Sequence, residues 1–227
     1  MKYEKLIETY VTSLGYPDER QRTRLDEERG SRPQTRDPRP WKNFAQKTDG
    51  RDLSDFDHNR IWIWSDLHFF HQNIIKYTKR PYFNSDEMNR ALLDNFKKTV
   101  GKDDISIWVG DVTFERGGSH ITNKMLASLP GYRILVFGNH DLDKKGALRP
   151  LYFNEIHAIY RVGNLIFSHY PLNAGVPEGY YGIHGHTHDT DTGKHRHINV
   201  SVEKVGFKPI SLAALIDKHG INYKETV

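Results

Sequence analysis

Three segments of this chain share one pattern: a short apolar run that stops at a polar cluster. "RIWIWSDLH" (60–68), "ISIWVGD" (105–111) and "RILVFGNHD" (133–141) each carry β-branched and aromatic residues into Asp, Asn or His. Between them lie "NSDEMNRALLDNFKKTV" (84–100), an amphipathic helix capped by Asn84 or Ser85, and "SHITNKMLASLPG" (119–131), a second helix. Strands therefore alternate with helices in the first half. In the second half strands dominate. "NEIHAIYRV" (154–162) and "NLIFSHYP" (164–171) read as neighbouring strands across a turn at Val162–Gly163, followed by "YGIHGHTHD", "HINVSV" and a helix from Ser211. Such an order predicts an α/β layered fold with a mixed sheet or two packed sheets. In such folds sites gather beyond the strand ends, where loops converge on one edge.

Upstream the texture differs. Tyr3, Leu6, Ile7, Tyr10, Val11 and Leu14 keep helical spacing, closed by Gly15 and Pro17. Residues 17–40 mix charges of both signs, with three prolines near the end and one leucine as the only large aliphatic. This stretch cannot bury enough apolar surface to offset its ordering entropy, so it reads as a linker or an arm, anchored at its far end by Trp41 and Phe44. The expected division is an N-terminal helix and charged arm over 1–57 and one domain over 58–227.

Composition narrows the chemistry. Of 227 residues none is cysteine, which excludes a disulfide framework and any thiolate zinc site. No apolar run approaches the roughly 18 residues of a membrane span, and "MKYEKLIETY" lacks the apolar core of a signal peptide. A cytoplasmic, soluble protein is the expectation. The net charge of +4, from 33 basic and 29 acidic residues, suits an anionic substrate but also an ordinary solvated surface. Thirteen histidines say more, because they cluster.

The clusters sit at strand ends. The first strand delivers Asp66 and His68, the second Asp111, and the third Asn139, His140 and Asp141. "FSHYP" delivers His169, and "GIHGHTHD" places His184, His186 and His188 at every second position. If that last stretch is extended, its three imidazoles line one surface. Any one of these residues alone would be a turn former or a structural histidine. Five segments ending the same way call for a common cause. Oxygen and nitrogen donors without sulfur suit manganese, iron or zinc rather than calcium. Seven donors are too many for one tetrahedral ion and suit two divalent ions about 3.5–4 Å apart, the clamp for in-line displacement at phosphorus.

The blocks "DLH", "GD", "GNHD", "H" and "GHTH", in this order after strands, resemble those of the calcineurin-like metallophosphoesterases over roughly residues 60–205. "IWSDLHFFHQNIIKY" and the short length are similar to small prokaryotic and phage members. The resemblance implies a double-sheet α/β sandwich of the metallo-dependent phosphatase type. It also implies that Asp66, His68 and His188 bind one metal, that Asp111 bridges, and that Asn139, His169 and His186 complete the second. His140 would then serve the leaving oxygen rather than a metal, and a hydroxide bridging the ions would be the nucleophile. His184 and His71 receive no ligand role and are expected to be supporting residues. Protein phosphatases of the superfamily carry "GDxVDRG" and "GNHE"; here Phe114 stands where their dyad aspartate would, followed by Glu115 and Arg116. "GNHD" is more like the diesterase and nuclease branches.

The leading expectation is thus a metal-dependent phosphodiesterase, with Mn²⁺ favoured, acting on a small phosphate ester of nucleotide type. A nuclease is the second reading, with nucleic acid as partner, and a non-catalytic scaffold on the same fold the third. Arg80 is weighed as a phosphate contact against an ordinary surface arginine.

Overall fold

The computed structural model describes residue 53 and residues 56–116, 119–173 and 175–225. The helix expected at 3–14, the charged arm at 17–40 and its anchors Trp41 and Phe44 lie outside the described residues.

Among the described residues nine strands form two sheets. The first contains β1 (Ile61–Trp64), β2 (Ile105–Trp108), β3 (Tyr132–Val136), β4 (Glu155–His157) and β9 (Ile210–Ser211), in the order β4-β3-β2-β1-β9. Its first four strands are parallel and β9 is antiparallel to β1. The second sheet runs β5 (Ile159–Val162), β6 (Leu165–Ser168), β7 (Tyr181–His184), β8 (His197–Asn199), antiparallel only between β5 and β6. The helices are α1 (Gln72–Tyr77), α2 (Ser85–Thr99), α3 (His120–Ala127), α4 (Val202–Val205) and α5 (Leu212–His219). The chain is an α/β sandwich of two mixed sheets, as the strand–helix order predicts. Among the described residues no helix is long and apolar enough to cross a membrane.

Alternation along each strand explains the layering. Ile61 and Ile63, Ile105 and Ile107, Ile134 and Val136 point between the sheets, where they meet Leu165, Phe167, Ile183 and Ile198. Trp64, Trp108 and Leu135 point the other way and pack beneath Met88, Leu92 and Phe96 of α2 and Leu126 of α3. Both faces of the first sheet are covered, which is why its strands read as nearly continuous apolar runs. α2 begins where Asn84 accepts the backbone N–H of Glu87 at 2.9 Å, while Glu87 accepts that of Phe83 at 2.7 Å. Ser211 caps α5 by accepting the N–H of Ala214 at 3.2 Å.

Two expectations are corrected. "NEIHAIYRV" is not one strand: it breaks at Ala158, placing β4 in the first sheet and β5 in the second. The physical reason is that Ile156 packs on the helix-covered side of the first sheet, whereas Val162 belongs to the core between the sheets. "GIHGHTHD" is extended only as far as His184. Beyond it His186 and His188 adopt left-handed backbone, with φ of 67° and 50°, so the three imidazoles are not one row on a strand.

Candidate metal centre

Strand ends β1, β2, β3, β6 and β7 bring their polar residues to one edge of the sandwich. Beyond β1 and β2 the two chains stay joined, the N–H of Asp66 donating to Gly110 O and that of His68 to Asp111 O, each at 3.0 Å. Asp66, His68 and Asp111 have φ of 59°, 53° and 56°. Left-handed backbone is unfavourable for such residues and persists only where surroundings over-determine it. Among the described residues five of the nine non-glycine residues with positive φ, counting His186 and His188, are among the seven predicted donors.

Among the described residues three groups of side chains have ligand atoms within 4.8 Å of one another: Asp66, His68 and His188; Asp111, His169 and His186; and His68, Asp111 and His140. The first two groups are those the sequence blocks imply. Asn139 joins the second, its Oδ1 lying 3.1 Å from His169 Nε2. Asp111 stands between them, with Oδ2 at 3.5 Å from His68 Nε2 and 3.3 Å from His169 Nε2, while Oδ1 accepts the N–H of His140 at 2.8 Å. Asp66 turns Oδ1 toward His68 and His188, 3.9 Å from the Nε2 of each, and Oδ2 accepts the N–H of His186 at 2.9 Å.

The donor set fits divalent cations. His68 is buried, yet neither ring nitrogen has a hydrogen-bond partner, an arrangement that a cation between His68 and the carboxylates would satisfy. Burial holds His68 well below the usual histidine range, leaving it neutral and able to donate a lone pair. Burial also opposes charge on His169, but the Asp111 carboxylate outweighs it and raises His169 to about 10. Glycines of the motifs make room for this crowding. A Cβ on Gly138 would run into Asp111 Oδ1, and one on Gly185 into Ser65 and Asp66.

Arg80 is neither a phosphate contact nor a surface residue. It is 4% exposed and lies under the first group, donating to the carbonyls of Asp66 (2.7 Å) and Leu67 (2.8 Å). Its Nε and Nη2 also donate to Glu203 Oε1 at 2.9 and 2.7 Å. The same oxygen lies 3.2 Å from His188 Nδ1. Burial opposes charge on His188, but the Glu203 hydrogen bond prevails and raises its pKa. Sequence reasoning missed Glu203 entirely; its position one residue into α4, a short helix after β8, carries no motif. A carboxylate on the far nitrogen of a ligand histidine fixes its ring and tautomer.

His184 and His71 belong to none of the three groups. His184 is buried, Nδ1 lying 2.8 Å from Gly185 O, and burial lowers it to about 4. Phe114, in place of a dyad carboxylate, sets its ring against that of His140 at 5.2 Å. Glu115 is occupied elsewhere, accepting the N–H groups of Ile121 (3.1 Å) and Thr122 (2.8 Å) at the start of α3. His140 is thus placed by an aromatic wall and by its own backbone bond to Asp111.

Residues 59–216 match the family model of the calcineurin-like phosphoesterases. The chain belongs to that family. It is therefore a metallophosphoesterase by descent, with phosphoester hydrolysis and divalent-metal binding as the family's chemistry. An uncharacterized protein of Methanocaldococcus jannaschii is 32% identical over 171 residues, covering 69% of this chain and 89% of that protein. The crystal structure of a protein of unknown function from Aquifex aeolicus is similar at a TM-score of 0.54 and 30% identity, covering 70% of this chain and 98% of that one.

Proposed function

We propose that this metallophosphoesterase hydrolyses phosphodiesters of nucleotide type, using Asp66, His68 and His188 for one divalent ion, Asn139, His169 and His186 for a second, and Asp111 for both. The observation that carries the reading is the position of Asp111, whose Oδ2 lies 3.5 Å from His68 and 3.3 Å from His169, one member of each group. Two bound ions, Mn²⁺ in the favoured case, would neutralise the phosphoryl oxygens and acidify a water toward neutral pH. The protein's own part is orientation and proton transfer. Carboxylates and imidazoles fixed by Ser65, Ser201, Glu203 and backbone N–H groups keep the donors in place without rearrangement. His140 Nε2 lies 4.0 Å from Asp111 Oδ2 and the side chain is 36% exposed, so its ring can reach a substrate oxygen beside the donors. There it protonates the departing alkoxide.

The test is a panel of generic mono- and diesters, cyclic nucleotides and oligonucleotides assayed with Mn²⁺ after exhaustive chelation. Diesters of nucleotides should be turned over fastest, and only with metal restored. Faster turnover of monoesters would remove the diesterase assignment, and full activity in verified metal-free protein would remove the two-ion reading.

A further inference from the structure

Next to the donor cluster lies a cavity of about 490 Å³ that contains none of the seven proposed metal donors. Its size falls within the range of about 300–1,000 Å³ usual for small-molecule sites. Its walls are aromatic where they approach the cluster. Phe114 and His71, both half-buried, stack with ring centroids 4.1 Å apart and planes at 13°. Phe114 touches the His140 ring at 5.2 Å, and His71 stands 5.3 Å from the His68 ring. The cavity thus begins one aromatic side chain away from the reacting groups.

Phe70 adds a third ring at a conformational cost. Its φ is 66°, continuing the left-handed positions at Asp66 and His68, and its N–H is held by Asn89 Oδ1 at 3.2 Å. A phenylalanine rarely adopts this backbone, and strain of this kind concentrates where a ligand is gripped. Ile121, 51% exposed on the first turn of α3, closes the apolar lining. Asn73 and Arg116 contribute an amide and a guanidinium group, and Gln72, whose Oε1 accepts the N–H of Ser85 at 2.9 Å, adds its amide N–H groups. Glu115 also borders the space, but its carboxylate is turned to the N–H groups and hydroxyl of Ile121 and Thr122, where their hydrogen bonds offset its charge.

Flat apolar rings edged by amides match a nucleobase: a π face to stack and a polar rim to hydrogen-bond. We infer that this cavity receives the planar base of a nucleotide whose phosphate lies at the donor cluster. Because Phe114 touches His140, the base belongs to the nucleoside on the oxygen that His140 protonates. This inference rests on the phosphoesterase reading of the adjoining cluster.

Adenosine 5′-monophosphate carries adenine where ribose 5-phosphate carries its anomeric hydroxyl, so calorimetric titration of each into the Mn²⁺-loaded full chain reads the contribution of the base. The adenosine compound should bind about ten-fold tighter or more, the scale of one base stacked on an aromatic ring. Ile121→Trp, which fills the cavity from an exposed helical position, should bring the ratio of the two affinities toward one, and Phe114→Ala should do the same. Equal affinities in the unmodified protein, or a ratio undiminished in Ile121→Trp, would overturn the inference. Hydrolysis of bis(4-nitrophenyl) phosphate by the same preparation separates the two readings. Turnover with equal affinities refutes the base site alone, whereas a base preference without turnover supports the site and refutes the diesterase reading.

Discussion

Glu203→Gln probes the buried support of the centre without touching a proposed ligand. Glu203 Oε1 takes hydrogen bonds from Arg80 at 2.7 and 2.9 Å and stands 3.2 Å from His188 Nδ1. Arg80 is fully enclosed, so the amide leaves its charge without a counter-charge in the interior. Removing one partner of a buried pair costs about 3–5 kcal/mol. The amide oxygen still accepts from Arg80, which places the expected loss near the lower figure, about 3 kcal/mol. Urea denaturation in the presence of a chelator measures this loss free of any metal contribution. A second consequence is separable from the first. Without the carboxylate the His188 ring loses its fixed tautomer, and affinity for the ion held by Asp66, His68 and His188 should fall about 10–100-fold, with the other ion little affected. Stepwise Mn²⁺ titration followed by calorimetry reads both affinities on protein that is still folded. If stability falls but both affinities are unchanged, Glu203 is structural only and the proposed role in holding His188 is wrong.

Asp111→Asn should lower occupancy of both ions, because its carboxylate faces both groups, whereas His188→Ala should chiefly empty one; two ions per chain in Asp111→Asn by elemental analysis would refute the bridge. His140→Ala should keep both ions and slow hydrolysis by roughly 10²–10⁴-fold, with the smallest loss for nitrophenolate and the largest for alkoxide leaving groups; loss of metal would make His140 a ligand. Glu115→Ala should destabilise the fold by about 1–2 kcal/mol through its missing bonds to the start of α3. Burial works against the Glu115 carboxylate, but the N–H groups of Thr122 and Ile121 prevail and lower its pKa. Its contribution is therefore present above the unfolded value of about 4.3 and lost as pH falls through the folded value, so urea midpoints of variant and parent should converge in acid.

The clustering of the proposed donor side chains at one edge was legible because most follow a local pattern: an apolar run, a glycine or serine, then a ligand-type side chain. Sheet order and the strand break at Ala158 were not, since no glycine or proline in "NEIHAIYRV" marks the break and only tertiary packing separates Ile156 from Val162. The extended reading of "GIHGHTHD" failed for a related reason. Its spacing is that of a strand, but His186 and His188 sit in left-handed backbone that hydrogen bonds and neighbouring blocks impose. The pairing of Arg80 with Glu203 escaped because the two are 123 residues apart and neither belongs to a motif. Phe114 was visible only as a departure, and its stacking on His71 and contact with His140 depend on where α1 begins.

The most direct test of the account is anomalous diffraction from crystals of the full chain grown with Mn²⁺. Two anomalous peaks are expected about 3.5–4 Å apart, one ligated by Asp66, His68 and His188, the other by Asn139, His169 and His186, with Asp111 on both and His140 on neither. A single peak, or a peak with His140 in its coordination shell, would contradict it.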